Sequence, residues 1–333
     1  MAAADISLWR APFRHMTRNP AISLIVALFL VVYFKYSTTG NPQDVVESTL
    51  PSTVPPIEQI LRNVTISTAA QKLPNKGSIF CFVTTTKKYH KARAQAVAET
   101  WLPRCDHGEL FTNSSDHLSP STPYRTIYRN LNDTYGQLFW KTKLSIHYVY
   151  KYISSDFDWY LKADDDTFII VENLRAYLST LDPTKPHYIG FRMKPYLKKG
   201  YNSGGAGYVL SREAMRIFSE ELYENNTLCP FSDFEDVGIG SCLSRAGIYP
   251  EVTVDREGRQ RFLPYDFPQV FRGMLDESGA DYWFVEKPKK GYDAFSPELI
   301  SIHHLNADQI RMLEISLYRL RVAKRWTKRR QSI

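Results

Sequence analysis

The densest run of chemically capable side chains is Trp159-Tyr160-Leu161-Lys162-Ala163-Asp164-Asp165-Asp166. Three adjacent carboxylates repel one another unless a cation is near. Asp164 and Asp166 are two positions apart, so in an extended chain both can turn toward one point. Such a hard-oxygen pair suits Mn²⁺ or Mg²⁺ bridging a diphosphate. The plainer alternative is an acidic helix N-terminus, favoured by the positive end of the helix dipole.

Three further constellations carry weaker signals. Tyr201 to Ser211 (YNSGGAGYVLS) contains Gly204, Gly205 and Gly207, small residues that let a backbone come close to a ligand and permit positive φ. It matches neither a phosphate-binding P-loop nor a dinucleotide fingerprint. In Ser232 to Gly240 (SDFEDVGIG), Ser232 and Glu235 have capping-box spacing, which gives Glu235 a structural reading. Asp236 is then free to face a cleft, where it can serve as general base toward a hydroxyl or merely complement the helix dipole. The last constellation is Ser301-Ile302-His303-His304-Leu305. Neighbouring residues on an extended segment point to opposite sides, so one histidine at most meets a given metal.

The elements around these residues alternate between strand and helix. Ser78–Thr85 and Phe157–Ala163 are short apolar runs that read as buried strands. Ala94, Val97, Ala98 and Trp101 share a helical face, closed by Pro103. Trp140, Leu144, Tyr148 and Tyr152 mark a second helix, and Val171, Leu174 and Leu178 a third. Ser211 is a suitable N-cap for a fourth, with Met215, Phe218 and Leu222 on its apolar face. The alternation predicts an α/β fold with a mostly parallel sheet, ligands binding beyond the carboxyl ends of its strands. The acidic triplet lies at such an end.

The chain has 333 residues and a net charge of +7. Much of that charge is terminal, in Arg319, Arg321, Lys324, Arg325, Lys328, Arg329 and Arg330, which argues for a solvated tail and against nucleic acid as a partner. Ala21–Phe34 is an uncharged apolar stretch preceded by Arg10, Arg14 and Arg18. The pattern predicts a cytoplasmic tail (1–19), a signal anchor (20–39) and a lumenal remainder, a single-pass type II arrangement. No small-residue cleavage site follows the apolar run, which disfavours a removed signal peptide. The Ser/Thr/Pro-rich residues 40–75 read as a stem, and residues 76–333 as the catalytic domain with a basic tail. Asn63, Asn113, Asn132 and Asn225 head N-glycosylation sequons. Four cysteines in an oxidising compartment imply two disulfides; proximity favours Cys81–Cys105 and Cys229–Cys242 among three pairings.

In their order and wording, AVAETWLPRC, QLFWKTK, DWYLKADDDTFIIVENL, KPYLKKGYNSGGAGYVLS, FEDVGIG and SIHHL resemble the β1,3-glycosyltransferase family that includes the fringe enzymes. Within it they are most similar to the galactosyltransferases that build core 1 O-glycans. The resemblance covers roughly residues 78–305 and is looser over Tyr249–Asp293. It implies a GT-A fold in a Golgi membrane protein. It also implies inverting transfer of galactose from UDP-galactose to the 3-hydroxyl of GalNAc-α-Ser/Thr on a glycoprotein. Carried over, Asp164 and Asp166 hold Mn²⁺ or Mg²⁺, with His303 as a further ligand. Asp236 is the base. Thr85, Arg93, Lys162, Asp165, Gly204 and Gly205 serve the donor, and Trp283, Tyr282 and Glu235 the acceptor. The alternatives are a relative using another UDP-sugar or acceptor, or a silent homologue acting as a chaperone; the intact acidic triplet speaks against silence. The sequence leaves the oligomeric state open, a homodimer included.

Overall fold

The computed structural model describes residues 56–275 and 277–321. The expected cytoplasmic tail, signal anchor and first part of the stem lie outside the described residues, as does the tail beyond residue 321. Among the described residues no helix is long and apolar enough to cross a membrane.

Six strands form the central sheet: β1 (Lys76–Thr84), β2 (His107–Phe111), β3 (Tyr124–Arg125), β4 (Asp156–Asp164), β5 (Tyr188–Gly190) and β6 (Tyr208–Ser211). Their spatial order is β3-β2-β1-β4-β6-β5. The first four run parallel, and β6 lies antiparallel to both β4 and β5. The sheet is therefore mixed, with its parallel part where the strand–helix alternation predicts one. Its strands are apolar on both faces because both are covered. Along β1, Ile79, Cys81 and Val83 enter one core with Trp101 and Leu174, whereas Phe80 and Phe82 enter the other with Leu144 and Tyr160.

Four helices matter for the site: α1 (Leu138–Tyr148), α2 (Val171–Leu178), α3 (Arg212–Ile217) and α4 (Glu235–Arg245). In α2 the spacing of Val171, Leu174 and Leu178 buries all three. Ser211 caps α3 by accepting from the Ala214 amide, as its side chain suits it to do. The helix expected around Ala94–Trp101 is shorter than its apolar pattern, ending at Glu99, with Pro103 in a separate turn. Disulfides join Cys81 in β1 to Cys105 and Cys229 to Cys242 in α4, leaving no free cysteine.

One boundary differs from expectation. Residues 56–75, assigned to the stem, fold onto the sheet. Ile60 is buried in the core that also holds Tyr128, the Ser67 hydroxyl accepts from the Tyr124 amide, and Ile66 bridges Arg125. Burial of a few apolar side chains and edge pairing with β3 outweigh a composition that by itself favours extended chain.

Three short segments form a second sheet. Ser301–Ile302 runs parallel to Phe262–Leu263 and antiparallel to Phe168–Ile169. The pairing carries the late histidine segment back to the end of β4, where the Leu305 amide donates to the Asp166 carbonyl.

Candidate active site

Asp164 ends β4 and Asp165–Asp166 form the turn beyond it, so the three carboxylates fan out instead of continuing an extended strand. Asp165 turns inward: its carboxylate accepts from the Thr85 hydroxyl at 2.6 Å and is 3.5 Å from Arg93. Asp164 and Asp166 face a cleft of about 810 Å³. His303 joins them, and the three ligand atoms lie within 4.8 Å of one another. Two carboxylate oxygens and one imidazole nitrogen fit Mn²⁺ or Mg²⁺ in their chemistry.

The surroundings prepare these groups. His303 Nδ1 lies 3.1 Å from the Pro264 carbonyl, an acceptor only, so Nδ1 carries the proton and Nε2 faces the cluster. Nε2 is 3.1 Å from Asp166, and Arg93 is 3.2 Å from the other Asp166 oxygen. Burial pushes the Asp166 carboxyl upward, but the His303 hydrogen bond and the charges of His303 and Arg93 hold it below its ordinary range. Asp165, more deeply buried, is pushed up to about 7, with the Thr85 hydrogen bond opposing the shift. His304 has φ +62°, which breaks the extended segment after His303 and turns the second ring against Tyr265.

Gly204 and Gly205 are required by crowding, not by backbone conformation. A Cβ on Gly204 would sit 2.2 Å from Glu235 Oε2, and one on Gly205 would sit 2.0 Å from His303 Cε1. The positive φ expected in this turn falls on Gly207, at +75°. The Gly205 carbonyl accepts from the Thr167 hydroxyl, which ties the turn to the chain just after the acidic triplet.

Lys162 is buried in β4. Its ammonium lies 2.7 Å from Asp164, 3.2 Å from the Gly204 carbonyl and 3.7 Å from Glu235. Burial alone would lower its pKa, but the charges of Asp164 and Glu235 raise it well above the usual value. The expected capping box between Ser232 and Glu235 does not form. Phe234 is the N-cap of α4, and the Ser232 hydroxyl accepts from the Phe234 amide. Glu235 instead turns into the protein, accepting from the Tyr208 hydroxyl at 2.9 Å and facing Lys162. A buried ammonium and phenol outcompete an amide that water can satisfy.

Asp236 follows in the first turn of α4 and lines the cleft. Its carboxylate accepts from the Gly204 amide at 3.3 Å and from the Val237 amide at 2.9 Å. Burial raises its pKa against those two hydrogen bonds. The cleft therefore carries a cation-binding edge and a separate carboxylate of raised basicity, with the Gly204–Gly205 turn between them. This arrangement can hold an anionic leaving group and accept a proton nearby.

Thr85, Arg93, Lys162, Asp165, Gly204 and Gly205 all line the cleft, as does Glu235. Trp283 and Tyr282 do not. Trp283 packs against the core and meets Tyr196 edge-on at 6.3 Å, while Tyr282 is exposed. Tyr196 in turn stacks on Phe234, one residue before Glu235. Sequence reasoning missed Tyr196 and Phe234, and also Tyr135, an exposed ring at the cleft mouth. Their surroundings come from three distant segments, and only the adjacency of Phe234 to Glu235–Asp236 in the chain offered a cue. Among the sequon asparagines, Asn63, Asn132 and Asn225 are exposed, whereas Asn113 is half-buried and accepts from the Lys87 amide.

The sequence matches the family described as Fringe-like over residues 75–249. It is 32% identical over 259 residues to glycoprotein-N-acetylgalactosamine 3-beta-galactosyltransferase 1 of Xenopus laevis, covering 77% of this chain and 70% of that protein. It is 30% identical to beta-1,3-glucosyltransferase of Mus musculus, covering 64% of this chain and 42% of that one. It is 29% identical to beta-1,3-N-acetylglucosaminyltransferase lunatic fringe of Gallus gallus, with 40% and 41% covered. The match over 75–249 takes in the acidic triplet, the Gly204–Gly205 turn and Glu235–Asp236, and on it the chain belongs to the Fringe-like family of glycosyltransferases.

Proposed function

We propose that this protein transfers galactose from UDP-galactose to the 3-hydroxyl of GalNAc linked to Ser or Thr, with inversion at the anomeric carbon, on a GT-A fold. The observation that carries the reading is the placement of Asp164, Asp166 and His303 on one side of the Gly204–Gly205 turn and Asp236 on the other. The similarity to a glycoprotein-N-acetylgalactosamine galactosyltransferase supports the choice of sugar and acceptor.

Arg93, with the end of β1 at Thr84–Thr85, bounds the donor side of the cleft. Asp164, Asp166 and His303 hold a divalent cation, Mn²⁺ or Mg²⁺, which when bound neutralises charge on the departing diphosphate. Asp236 takes the proton of the acceptor hydroxyl as its oxygen bonds to the anomeric carbon. The bond from that carbon to the diphosphate oxygen breaks in the same step, and UDP leaves. One base suffices because inversion needs no covalent enzyme intermediate; a placed base contributes typically ~10²–10⁴-fold.

The same reading places the catalytic unit in the Golgi lumen behind a signal anchor at 20–39. Exposed sequon asparagines and two disulfides support it.

The test incubates a secreted form beginning near residue 56 with a GalNAc-Thr peptide, Mn²⁺ and a panel of UDP-sugars. Galactose transfer abolished by a chelator is the expected result. Transfer of another sugar retains the mechanism and changes the donor; no transfer from any donor by folded protein overturns the reading.

A further inference from the structure

Four aromatic side chains gather at the N-terminal end of α4, outside the cleft. Tyr196 and Phe234 stack with centroids 5.9 Å apart and planes 15° apart. Trp283 meets Tyr196 edge-on, and Tyr282 meets Trp283 at 5.3 Å. Tyr196, Phe234 and Tyr282 are 62%, 50% and 58% exposed, an unusual concentration of apolar surface for one place. Tyr196 also has φ +73°, a conformation that bulky residues rarely adopt and that tends to persist where a site demands it.

The strip around these rings is basic. Residues 192–194 run beside 283–285, with the Lys194 amide donating to the Trp283 carbonyl and the Val285 amide to the Arg192 carbonyl. This brings Lys194 of KPYLKK and Lys287 of EKPKK to the same residue, Asp281. Lys194 donates to the Asp281 carbonyl, and Lys287 lies 3.3 Å from the Asp281 carboxylate. Lys199 lies over the Tyr249 ring at 3.6 Å, and Lys198 is exposed beside it. Glu286 is already held by Arg192. Lys198 and Lys199 are both exposed, and neither has an ion-pair partner among the described residues.

The geometry points to a docking surface for the polypeptide that carries the acceptor sugar, and to acidic residues flanking the glycosylated Ser or Thr as the sequence it prefers. The inference rests on the transfer reading above. The sugar enters beside Asp236 while the peptide crosses the Tyr196–Phe234 stack, where its backbone and apolar groups find flat partners. Asp or Glu several residues away then meets Lys198 or Lys199. Charges at such an exposed rim act mainly through encounter and KM, and are screened by salt.

The experiment compares three GalNAc-Thr peptides with acidic, neutral or basic flanks, using the wild type and Lys198→Glu/Lys199→Glu. Transfer is measured at low and high salt, and binding of the same fluorescent peptides is measured by anisotropy without donor. The expected wild-type order is acidic, then neutral, then basic, with roughly fivefold between extremes in kcat/KM and in binding. The difference shrinks at high salt and reverses in the charge-swapped variant, whose melting temperature checks its fold. Equal binding of the three peptides, or an unchanged order in the folded variant, overturns the inference. If benzyl α-GalNAc is not galactosylated, the transfer reading fails; the anisotropy series still decides the charge preference by itself.

Discussion

The imidazole of His303 occupies the space that any side chain on Gly205 would need, with an added Cβ falling 2.0 to 2.5 Å from three of its ring atoms. Residues almost a hundred positions apart thus fix one another: the turn after β5 sets the orientation of a ligand arriving from the second sheet. Gly205→Ala displaces the imidazole, and divalent-cation affinity is expected to fall by roughly 10–100-fold, the usual effect of disturbing a ligand's support. Calorimetric titration of Mn²⁺ with UDP present checks this; unchanged affinity would show that His303 is not a ligand.

Asp236→Asn keeps the shape of the side chain and removes its basicity. UDP and Mn²⁺ binding is expected to stay within about twofold while transfer drops by roughly 10²–10⁴-fold. Parallel nucleotide titration and product assay separate the two effects. A collapse of nucleotide affinity would place Asp236 in donor binding instead.

Burial raises the Asp236 pKa, and the deprotonated form is the one that accepts a proton. The rate is therefore full above this pKa and falls as pH drops through it. The acidic limb of the kcat profile is expected above the range of an ordinary aspartate, near ~4. A limb at or below that range would assign the limiting titration to another group.

Lys162 compensates Asp164 and Glu235 from a buried position. Lys162→Met leaves those carboxylates without their cation, and removing one partner of a buried pair costs about 3–5 kcal/mol. Urea unfolding of the secreted form measures the loss. Divalent cation is expected to restore part of the stability by occupying the edge beside Asp164. A variant as stable as wild type would mean that Lys162 is dispensable to the site's framework.

Much of the framework was legible from local pattern. The apolar runs at β1 and β4, the 3–4 spacing in α2 and the Ser211 cap follow from period and capping chemistry that depend only on neighbouring residues. Both disulfides join cysteines close in sequence, and proximity had favoured those pairings. Asp164, Asp166 and Asp236 were nameable as candidates because carboxylates clustered after an apolar strand repel one another without a cation and because an acid in a first helical turn can face a cleft. Each also had a helix-dipole reading.

What the sequence by itself determined, then, was which residues carry charge, where strands end, and that an acidic cluster stands at the carboxyl end of β4. The tertiary structure decided which of them meet. His303 reaches Asp166 only because Ser301–Ile302 pairs with Phe168–Ile169. Glu235 abandons the capping role its spacing suggests because Lys162 and Tyr208 wait behind it. Residues 56–75 leave the expected stem because β3 offers an edge and the core beneath it takes Ile60. Each of these outcomes depends on partners tens to more than a hundred positions away, and the free energy of a contact between distant segments exists only once the fold has brought them together.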